Sequence, residues 1–478
     1  MRNQGTGSWP ARRARMTPDK TALISGGADS TYRQVHERAT RLAGALAADG
    51  IGAGDRVAFL GQNSTAFADV LFAAGMLGAI FVPLNYRLTQ AETDVIIRDC
   101  GAAVLLTPDS AAGLLASGPA GPEPADIPVS LGDVCMIQYT SGTSGKPKGV
   151  ALSHANIAWN CYNLLIDVDV AADEVSLVSA PMFHTAALNQ LFLPTFLKGG
   201  TSVLMPAWDP DQAYELIERY RVTWMFGVPA MFAAMAGLPR WATADLSSVR
   251  ILMCGGAPVP APLIATYQQR GLTFVQGYGM TETAPGALFL RAPDSVRKAG
   301  SAGTPCFFTD VRIVRPDFTD VAAGEPGEVV IQGPNVSPGY WGDAAATADA
   351  FQDGWLRSGD TATIDEDGYV RISGRVKDMY ISGGENVYPA EVESAISAHP
   401  AVAECAVLGV PDERWGETGR AVVVLRAEAA ASAEEIIASL DGVLARYKIP
   451  RTVVFAAALP RNTAGKVVKA RLREQYGT

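Results

Sequence analysis

The sequence predicts an α/β protein with a large N-terminal domain of layered sheets and helices, a small barrel-like β subdomain and a small α+β C-terminal domain. Three observations support this fold class. The chain has 478 residues, more than one compact core usually holds. Strand-like apolar runs alternate with helix-like segments through most of the chain, as in α/β layers. After about residue 300 the pattern changes to short apolar runs separated by Gly and Asp turns.

The alternation is clear in the first hundred residues. Residues 31–50 carry apolar side chains at helical spacing and end at a glycine, which suits a helix C-terminus. The expected buried face comprises Val35, Ala39, Leu42 and Leu46. Residues 56–63 (RVAFLGQN) predict a strand that runs into a loop, residues 64–79 a helix, and residues 80–85 (IFVPLN) another strand. We therefore expect sheets that are largely buried between helical layers.

The remaining elements predict a second kind of architecture. The runs DVRIV (310–314), GEVVIQG (327–333) and GYVRIS (368–373) are typical of antiparallel strands or a small barrel. A helix-like segment at 390–400 then leads to strand-like runs at 404–410 and 420–427. We place a domain boundary near Lys377, which divides the chain into residues 1–376 and 377–478.

Composition and charge exclude several classes of protein. The net charge of -10 and the pI of about 5.1 make nucleic acid or an anionic membrane a poor partner. The six cysteines are scattered without a C-x-x-C pair, so we expect reduced, buried thiols. The N-terminus lacks the apolar segment of a secretory signal, and no apolar run approaches membrane-spanning length. We expect a cytoplasmic protein; a homodimer is compatible with the sequence.

A Gly-, Ser- and Lys-rich stretch, YTSGTSGKPKGV at residues 139–150, has the composition of a phosphate-binding loop. It departs from the Walker pattern at Thr140, where that pattern needs glycine, and at Pro147, where it needs Ser or Thr. Pro147 disfavours helical geometry at Lys146 and offers no backbone donor, so the loop cannot lead into a helix N-terminus there. The stretch is either a phosphate-binding loop of another kind or an ordinary turn between strands.

Four further blocks follow that loop in a fixed order, and with it they resemble the signature of the adenylate-forming superfamily. The superfamily includes acyl-CoA synthetases, luciferases and peptide-synthetase adenylation domains. The blocks are QGYGMTET (276–283), GWLRSGD (354–360), GRVKDMYISGGENVYPAEVE (374–393) and PRNTAGKVVK (460–469). Each block alone is moderately specific, whereas all five in order are highly specific.

The resemblance implies a two-step reaction with ATP, Mg²⁺ and coenzyme A. A carboxylate attacks the α-phosphorus of ATP, giving an acyl-adenylate and pyrophosphate, and a thiol then takes the acyl group. By resemblance the catalytic residues are Lys466, Thr281, Glu282 and His184, with Glu282 also the metal ligand. Lys377 corresponds to the hinge about which the C-terminal domain of such enzymes rotates, so that domain is expected to be mobile.

The resemblance also implies the residues that bind nucleotide, coenzyme A and acyl group. The expected nucleotide and coenzyme A residues are Thr140, Ser141, Gly142, Thr143, Ser144, Lys148, Gly255, Gly256, Ala257, Gln276, Gly277, Tyr278, Gly279, Met280, Asp360, Arg375, Ser382, Gly383 and Gly384. The expected acyl pocket comprises Phe183, His184, Phe226, Gly255, Gly277, Gly279 and Met280. Taken singly, each has a commoner structural explanation, for example Asp360 as a turn residue or Lys466 as an exposed lysine.

The block SAPMFHTAALNQ (179–190) limits the class of carboxylic acid that can be the substrate. It carries no aspartate to hold a substrate amine, so an amino acid is disfavoured. No carrier domain follows Lys469, so free coenzyme A is the expected acceptor. The N-terminus resembles actinobacterial feruloyl-CoA and fatty-acyl-CoA synthetases. We expect a hydroxycinnamate such as ferulate, with a medium- or long-chain fatty acid as the alternative. A phenol requires a polar group at the far end of the pocket, and the sequence does not locate one.

Two other classes of protein are the alternatives to this interpretation. A P-loop NTPase is disfavoured by Thr140 and Pro147. A non-catalytic protein that binds adenylate or acyl-CoA is expected to have lost Lys466, Glu282 or Asp360, and all three are present.

Overall fold

A computed structural model describes residues 2–117, 127–141, 147–382, 385–412, 414–462 and 467–477. The strands are β1 (Thr21–Ser25), β2 (Ala28–Thr31), β3 (Arg56–Leu60), β4 (Ile80–Leu84), β5 (Val104–Leu106), β6 (Val134–Ser141), β7 (Pro147–Ser153), β8 (Val175–Val178), β9 (Thr201–Leu204), β10 (Trp224–Gly227), β11 (Ile251–Gly255), β12 (Phe274–Gly279), β13 (Gly286–Phe289), β14 (Thr304–Pro305), β15 (Asp310–Val314), β16 (Gly327–Gln332), β17 (Gly339–Tyr340), β18 (Phe351–Gln352), β19 (Trp355–Ile364), β20 (Val370–Arg375), β21 (Tyr380–Ser382), β22 (Glu385–Val387), β23 (Val402–Asp412), β24 (Gly416–Leu425) and β25 (Thr452–Phe455).

The helices lie between these strands in chain order. They are α1 (Trp9–Met16), α2 (Tyr32–Ala48), α3 (Thr65–Met76), α4 (Gln90–Cys100), α5 (Pro108–Ser117), α6 (His154–Asp167), α7 (Thr185–Ala187), α8 (Leu193–Lys198), α9 (Pro210–Tyr220), α10 (Pro229–Ala236), α11 (Ala261–Gln269), α12 (Ala344–Ala350), α13 (Pro389–Ser397), α14 (Ala433–Ala438) and α15 (Lys469–Tyr476). A π-helical turn, Leu188–Phe192, joins α7 to α8, and short 3₁₀ turns include Thr281–Thr283 and Val376–Asp378.

Two sheets with helices between their strands are built from strands that lie between Thr21 and Pro305, and β17 joins one of them from later in the chain. One has the strand order β14-β13-β12-β11-β10-β8-β9-β1-β2, in which β8 to β12 run parallel to one another. The other has the order β17-β7-β6-β4-β3-β5. The α/β prediction is confirmed, because parallel strands need the helical crossovers that cover both faces of a sheet.

Apart from the β24–β25 pair, the strands after residue 305 pair antiparallel with their neighbours, as the turn-rich sequence predicts. Strands β15, β16 and β19 pair in that order, and β19 also pairs with β18 and β20. A separate sheet, β22-β21-β24-β23, with β25 parallel to β24, is built from residues 380–455 and is packed with α13. The segment Val376–Asp378 connects β20 to β21, so the predicted hinge residue lies between the two sheets.

Local sequence signals account for where helices begin and which faces they bury. The predicted face of α2 is confirmed, since Val35, Ala39, Leu42 and Leu46 are at most 1% exposed. Thr31 caps that helix by accepting the Gln34 N–H, and the Gln34 side chain accepts the Thr31 N–H in return. All six cysteines are free thiols, and all but Cys405 are buried, as expected.

Candidate active site

The Gly/Ser/Lys-rich stretch is the tip of a β-hairpin. Strands β6 and β7 are antiparallel and bring Thr140 opposite Lys148 and Ser141 opposite Pro147. Pro147 begins a strand, so the loop does not lead into a helix, as its sequence predicted. Gly142, Thr143 and Ser144 lie outside the described residues, and the Ser141 side chain is not described. The hairpin presents the hydroxyl of Thr140 and the amine of Lys148 at the base of that tip.

A tyrosine links the hairpin to the predicted metal ligand. Strand β17 pairs with β7 and places Tyr340 opposite Val150. The Tyr340 hydroxyl donates a 2.8 Å hydrogen bond to Glu282 Oε1, and Lys148 Nζ lies 5.1 Å from the centroid of the Tyr340 ring. Burial and the neighbouring Glu282 carboxylate raise the pKa of Tyr340, so its hydroxyl stays protonated and remains a donor. Thr281 begins the 3₁₀ turn that carries Glu282.

A second cluster lies where Asp360 meets β12. Asp360 is 6% exposed and pairs with Arg375 across strands β19 and β20. Its carboxylate accepts a 2.6 Å hydrogen bond from the Tyr278 hydroxyl and forms a 2.6 Å ion pair with Arg375 Nε. Gly359 precedes it with φ +68°, a conformation that L side chains rarely adopt. The structure therefore brings together three predicted site residues from three strands, and holds the Asp360 carboxylate in one orientation.

The glycines of the predicted acyl pocket have different neighbours. A Cβ at Gly279 would lie 1.6 Å from the Pro285 carbonyl oxygen, and one at Gly255 would lie 2.8 Å from the Gly277 carbonyl oxygen. At these two positions the missing side chain makes room for backbone. A Cβ at Gly277 would have its nearest neighbour, Gln190 Nε2, at 3.4 Å. Of these three glycines, Gly277 is the one at which a side chain, the Gln190 amide, lies at van der Waals distance from the Cβ position.

The residues around Gly277 share one face of the sheet. Gly255 pairs with Gly277, and two residues back Met253 pairs with both Val275 and Phe226. Because residues two apart on a strand point to the same face, Phe226 and Met253 lie on the face of the sheet to which Gly277 is open. The ring of Phe226 lies 3.5 Å from the Cβ position of Gly255.

The remaining residues of the prediction lie around these two clusters. Met280 follows β12, and its N–H donates to the Pro285 carbonyl at 3.1 Å. Gln276 is buried in β12 opposite Cys254, whereas Gly256 and Ala257, which follow β11, are exposed.

His184 and Phe183 lie in the turn before α7. Their ring centroids are 4.3 Å apart, and the Phe183 ring also makes an edge contact with Tyr86 at 5.5 Å. Gln138, two residues before Thr140, donates to the Phe183 carbonyl at 3.4 Å. The His184 turn is thereby tied to the strand that enters the Gly/Ser/Lys-rich hairpin.

The predicted hinge and coenzyme A residues lie at the start of the C-terminal sheet. Lys377 is exposed in the Val376–Asp378 turn, and the neighbouring Asp378 accepts a 2.9 Å ion pair from Arg473 of α15. Ser382 is buried at the end of β21, opposite Glu385. Gly383 and Gly384 lie outside the described residues.

Lys466 also lies outside the described residues, but both flanks of its segment are held by ion pairs, one to strand β23 and one to helix α13. Arg461 forms a 2.8 Å ion pair with Glu404, and Lys469 forms a 2.7 Å ion pair with Glu393. Arg461 also forms a β-bridge with Val467, so the chain enters and leaves the segment at neighbouring points.

The donor set fits a hard cation that is shared with phosphate. No group of three or more His, Cys, Asp or Glu side chains that could hold a metal ion occurs in the described ranges. Glu282 offers a single carboxylate beside the hairpin. Mg²⁺ is commonly held by one or two carboxylates together with phosphate oxygens and waters, so one carboxylate fits this mode of binding.

Comparison with known proteins assigns the family. Residues 10–341 match the family described as AMP-binding enzyme, and residues 391–466 match the AMP-binding enzyme C-terminal domain. A feruloyl-CoA synthase of an Amycolatopsis species is 52% identical over an alignment of 491 residues, which covers 100% of this chain and 100% of the relative. The long-chain-fatty-acid–CoA ligase FadD13 of Mycobacterium tuberculosis is 40% identical, with 100% of this chain and 99% of the relative covered.

A solved structure has the same fold. O-succinylbenzoate coenzyme A synthetase (MenE) of Bacillus subtilis, in complex with ATP and magnesium ion, superposes with a TM-score of 0.90 at 32% identity. The superposition covers 98% of this chain and 99% of that one. The chain belongs to the AMP-binding enzyme family.

Two residues at the site of this AMP-binding enzyme were missed by sequence reasoning. Tyr340 lies in a two-residue strand, and its contacts depend on the pairing of β17 with β7. Gln190 ends the block SAPMFHTAALNQ, which also contains His184, yet nothing in that block indicates that the Gln190 amide reaches β12.

None of the helices in the described ranges has the length and apolar character needed to span a membrane.

Proposed function

We propose that this chain is an ATP-dependent acid–CoA ligase that activates a hydroxycinnamate such as ferulate through an acyl-adenylate and releases AMP and pyrophosphate. The observation that carries the proposal is the alternation along β12. Tyr278 points to the Asp360 cluster, whereas Gly277 faces the side of the sheet on which Phe226, Met253 and the Gln190 amide lie. One strand thus separates a nucleotide side from an acyl side by a single residue, and Glu282 follows directly after it.

In the first half-reaction the acid's carboxylate oxygen attacks the α-phosphorus of ATP, and the bond to the β-phosphate oxygen breaks. The new bond is the mixed anhydride of the acyl-adenylate, and pyrophosphate leaves. The Asp360 carboxylate would accept hydrogen bonds from the ribose hydroxyls, with Arg375 beside it. Thr140, Lys148 and the hairpin tip would hold the departing phosphates. Mg²⁺, when bound by Glu282, would supply positive charge to the phosphate oxygens.

Lys466 is proposed as the cation that bridges the carboxylate and the α-phosphate, where negative charge increases in the transition state. His184 and Phe183 are proposed to line the entrance to the acyl pocket.

In the second half-reaction the thiol of coenzyme A attacks the acyl carbonyl, and AMP leaves with the anhydride oxygen. We propose that residues 377–478 rotate about Lys377 between the half-reactions, which withdraws Lys466. Ser382, Gly383 and Gly384 would then line the path of the pantetheine arm, because small residues allow close approach.

The identity of the acid rests on the relatives. The feruloyl-CoA synthase is 52% identical and FadD13 is 40% identical, so the hydroxycinnamate is preferred to a long-chain fatty acid. The proposal includes a cytoplasmic location, where ATP and coenzyme A are available as co-substrates. A homodimer stays a prediction, to be tested by light scattering.

The test is a pyrophosphate-release assay with ferulate, p-coumarate, benzoate and octanoate, each with and without coenzyme A. We expect acid-dependent pyrophosphate and AMP, with ferulate and p-coumarate as the best acids and thioester only when coenzyme A is present. A protein that binds ATP and acid but releases no pyrophosphate with any of them is a binding protein. Release with octanoate but not with ferulate identifies the fatty-acid alternative.

A further inference from the structure

Gln190 is a buried amide that faces the proposed acyl space. It lies in the π-helical turn Leu188–Phe192 and is 7% exposed. Its Nε2 lies 3.4 Å from the position that a Cβ would take at Gly277. The π-helical turn adds a residue to the helix and shifts which side chains face the sheet, and such turns often occur at functional sites.

The Gln190 amide has a weak partner in the structure. Its Nε2 donates to the Met253 thioether sulfur at 2.9 Å. A thioether is a poor acceptor, and buried amides are usually hydrogen-bonded to oxygen or nitrogen. The sulfur contact therefore satisfies little of the hydrogen-bonding capacity of this side chain, which leaves it able to bind a polar group placed beside Gly277.

We propose that the Gln190 carboxamide binds the 4-hydroxyl group of the acyl substrate and thereby selects hydroxycinnamates; this inference rests on the proposed acid–CoA ligase function. A carboxamide carries an acceptor oxygen and a donor nitrogen side by side. The phenol hydroxyl donates to Oε1, and the adjacent methoxy oxygen of ferulate accepts from Nε2. The pair of groups on the aromatic ring thus complements the pair on Gln190.

The separation of Gly277 and Thr281 suits an extended acid of the length of a hydroxycinnamate. Gly277 precedes Thr281 by four residues, which is at most about 13 Å of extended chain. The reacting carboxylate belongs near Thr281 and Glu282, where the nucleotide side begins. An acid that lies along the strand from that point therefore brings its far end to Gly277 and Gln190.

The same contact discriminates against acids without a polar end. A fatty acid or an unsubstituted cinnamate would cover the Gln190 amide with apolar atoms and leave its donor and acceptor without partners. Sites built to bind a substrate hydroxyl reject analogues that lack it far more strongly than apolar pockets reject a changed methylene group. Gln190 therefore selects against the fatty-acid alternative as well as for the phenol.

The experiment compares kcat/KM for p-coumarate, ferulate, cinnamate and 4-methylcinnamate, whose methyl group is close in size to a hydroxyl group. The intact chain is expected to prefer p-coumarate over 4-methylcinnamate by roughly 10- to 100-fold. Gln190→Met keeps the length of the side chain and removes its hydrogen-bonding groups. This variant is expected to lose most of that preference, and its kcat/KM for cinnamate is expected to rise relative to that for p-coumarate.

Gln212→Met is the matched control, because Gln212 is exposed on α9 and undergoes the same chemical change. It is expected to keep the preference of the unmodified chain. If the unmodified chain uses ferulate but Gln190→Met has the same preference, the role of Gln190 is overturned and the ligase function stands. If Gln190→Met does not fold, the comparison of p-coumarate with 4-methylcinnamate in the unmodified chain decides, and equal kcat/KM values overturn the inference. Absence of acid-dependent pyrophosphate release with every acid overturns the proposed function and this inference together.

Discussion

At the scale of single residues, Tyr340 connects two groups that the sequence places 134 positions apart, Lys148 and Glu282. Its hydroxyl donates to the Glu282 carboxylate, and its ring face lies under the Lys148 amine. A hydrogen bond to a metal-binding carboxylate orients that carboxylate, and its loss commonly weakens metal binding by 10- to 100-fold. Tyr340 is therefore expected to act as a positioning residue for Glu282.

Tyr340→Phe tests this role, because it removes the hydroxyl and keeps the ring beside Lys148. We expect the Mg²⁺ concentration for half-maximal pyrophosphate release to rise about 10-fold. Calorimetry should show the same loss in Mg²⁺-dependent ATP binding, with little change in binding without Mg²⁺. Tyr162→Phe, on the exposed tyrosine of α6, is the control. A variant at Tyr340 with an unchanged Mg²⁺ titration would contradict the positioning role.

At the scale of elements, α6 anchors the N-terminal segment. His154, the first residue of this helix, is 1% exposed, and its Nδ1 accepts the Thr6 N–H at 3.0 Å. A Cβ at Gly5 would lie 2.6 Å from the same ring, so only glycine allows this close approach. Burial lowers the pKa of His154 to about 4, partly opposed by the charge of Asp133.

The lowered pKa predicts the direction of a pH dependence. The folded chain favours the neutral form of His154. The contribution of His154 to the free energy of unfolding is therefore complete above its ordinary pKa of about 6.5 and is lost as the pH falls towards 4. The full loss corresponds to roughly 3 kcal/mol. We expect the Tm of the unmodified chain to fall as the pH is lowered from 6.5 to 4. The Tm of His154→Asn, in which the amide oxygen can replace Nδ1 as the acceptor, should fall less over the same range. Equal slopes for the two proteins would show that His154 does not titrate as proposed.

The hairpin β6–β7 shows how one residue decides the kind of element. A Walker loop delivers phosphate to a helix N-terminus, whose N–H groups are free to bind it. Here Pro147 begins a strand, so backbone donors of a helix end are not available at that point. The lysine and hydroxyl groups of the hairpin are left as the groups that can bind phosphate.

Lys466→Ala tests the first half-reaction. Adenylation should fall by at least 100-fold, because the charge that develops at the α-phosphorus loses its proposed cation. Thioester formation from preformed acyl-adenylate should be retained, since that step does not need the lysine. Lys469→Ala is the comparison for Lys466→Ala. It also removes a lysine and breaks the ion pair with Glu393, but it leaves the Lys466 side chain in place. Equal loss of both half-reactions in Lys466→Ala would contradict the assignment.

At the scale of the whole molecule, the two halves of the proposed reaction draw on different sheets. The nucleotide-side residues lie on β12, β19 and β20, whereas Ser382 belongs to the sheet formed by residues 380–455. The flanks of Lys466 form ion pairs with Glu404 of that sheet and with Glu393 of α13. The connection between β20 and that sheet is the short Val376–Asp378 turn. A rotation at that turn would move one set of residues relative to the other without disrupting either sheet.

Lys377→Pro tests the rotation, because proline restricts φ to about -65° and also constrains the residue before it. We expect one half-reaction to be retained and overall thioester formation to fall at least 10-fold, a loss of about 1.4 kcal/mol in transition-state stabilisation. Lys377→Ala removes the same side chain without restricting φ and should keep turnover. Unchanged overall turnover in the proline variant would count against rotation at this residue.

The local features of this protein follow from its amino-acid sequence alone. Alternating strand and helix patterns predicted the α/β layers, the helical spacing of apolar residues predicted the buried face of α2, and Pro147 predicted that no helix begins after the loop. These features depend on neighbours within a few residues, so the chain's own periodicity and propensities suffice to predict them. The order of the motif blocks also indicated the family before any contact was known.

Contacts between side chains that are far apart in the chain follow from the tertiary structure. Tyr340 and Glu282 are 58 residues apart, Gln190 and Met253 are 63 apart, and Tyr278 and Asp360 are 82 apart. Whether such pairs touch depends on strand order and on register, where a shift of one residue turns a side chain to the opposite face. The same reason explains the glycines: Gly255 and Gly279 make room for backbone, whereas Gly277 faces the Gln190 side chain.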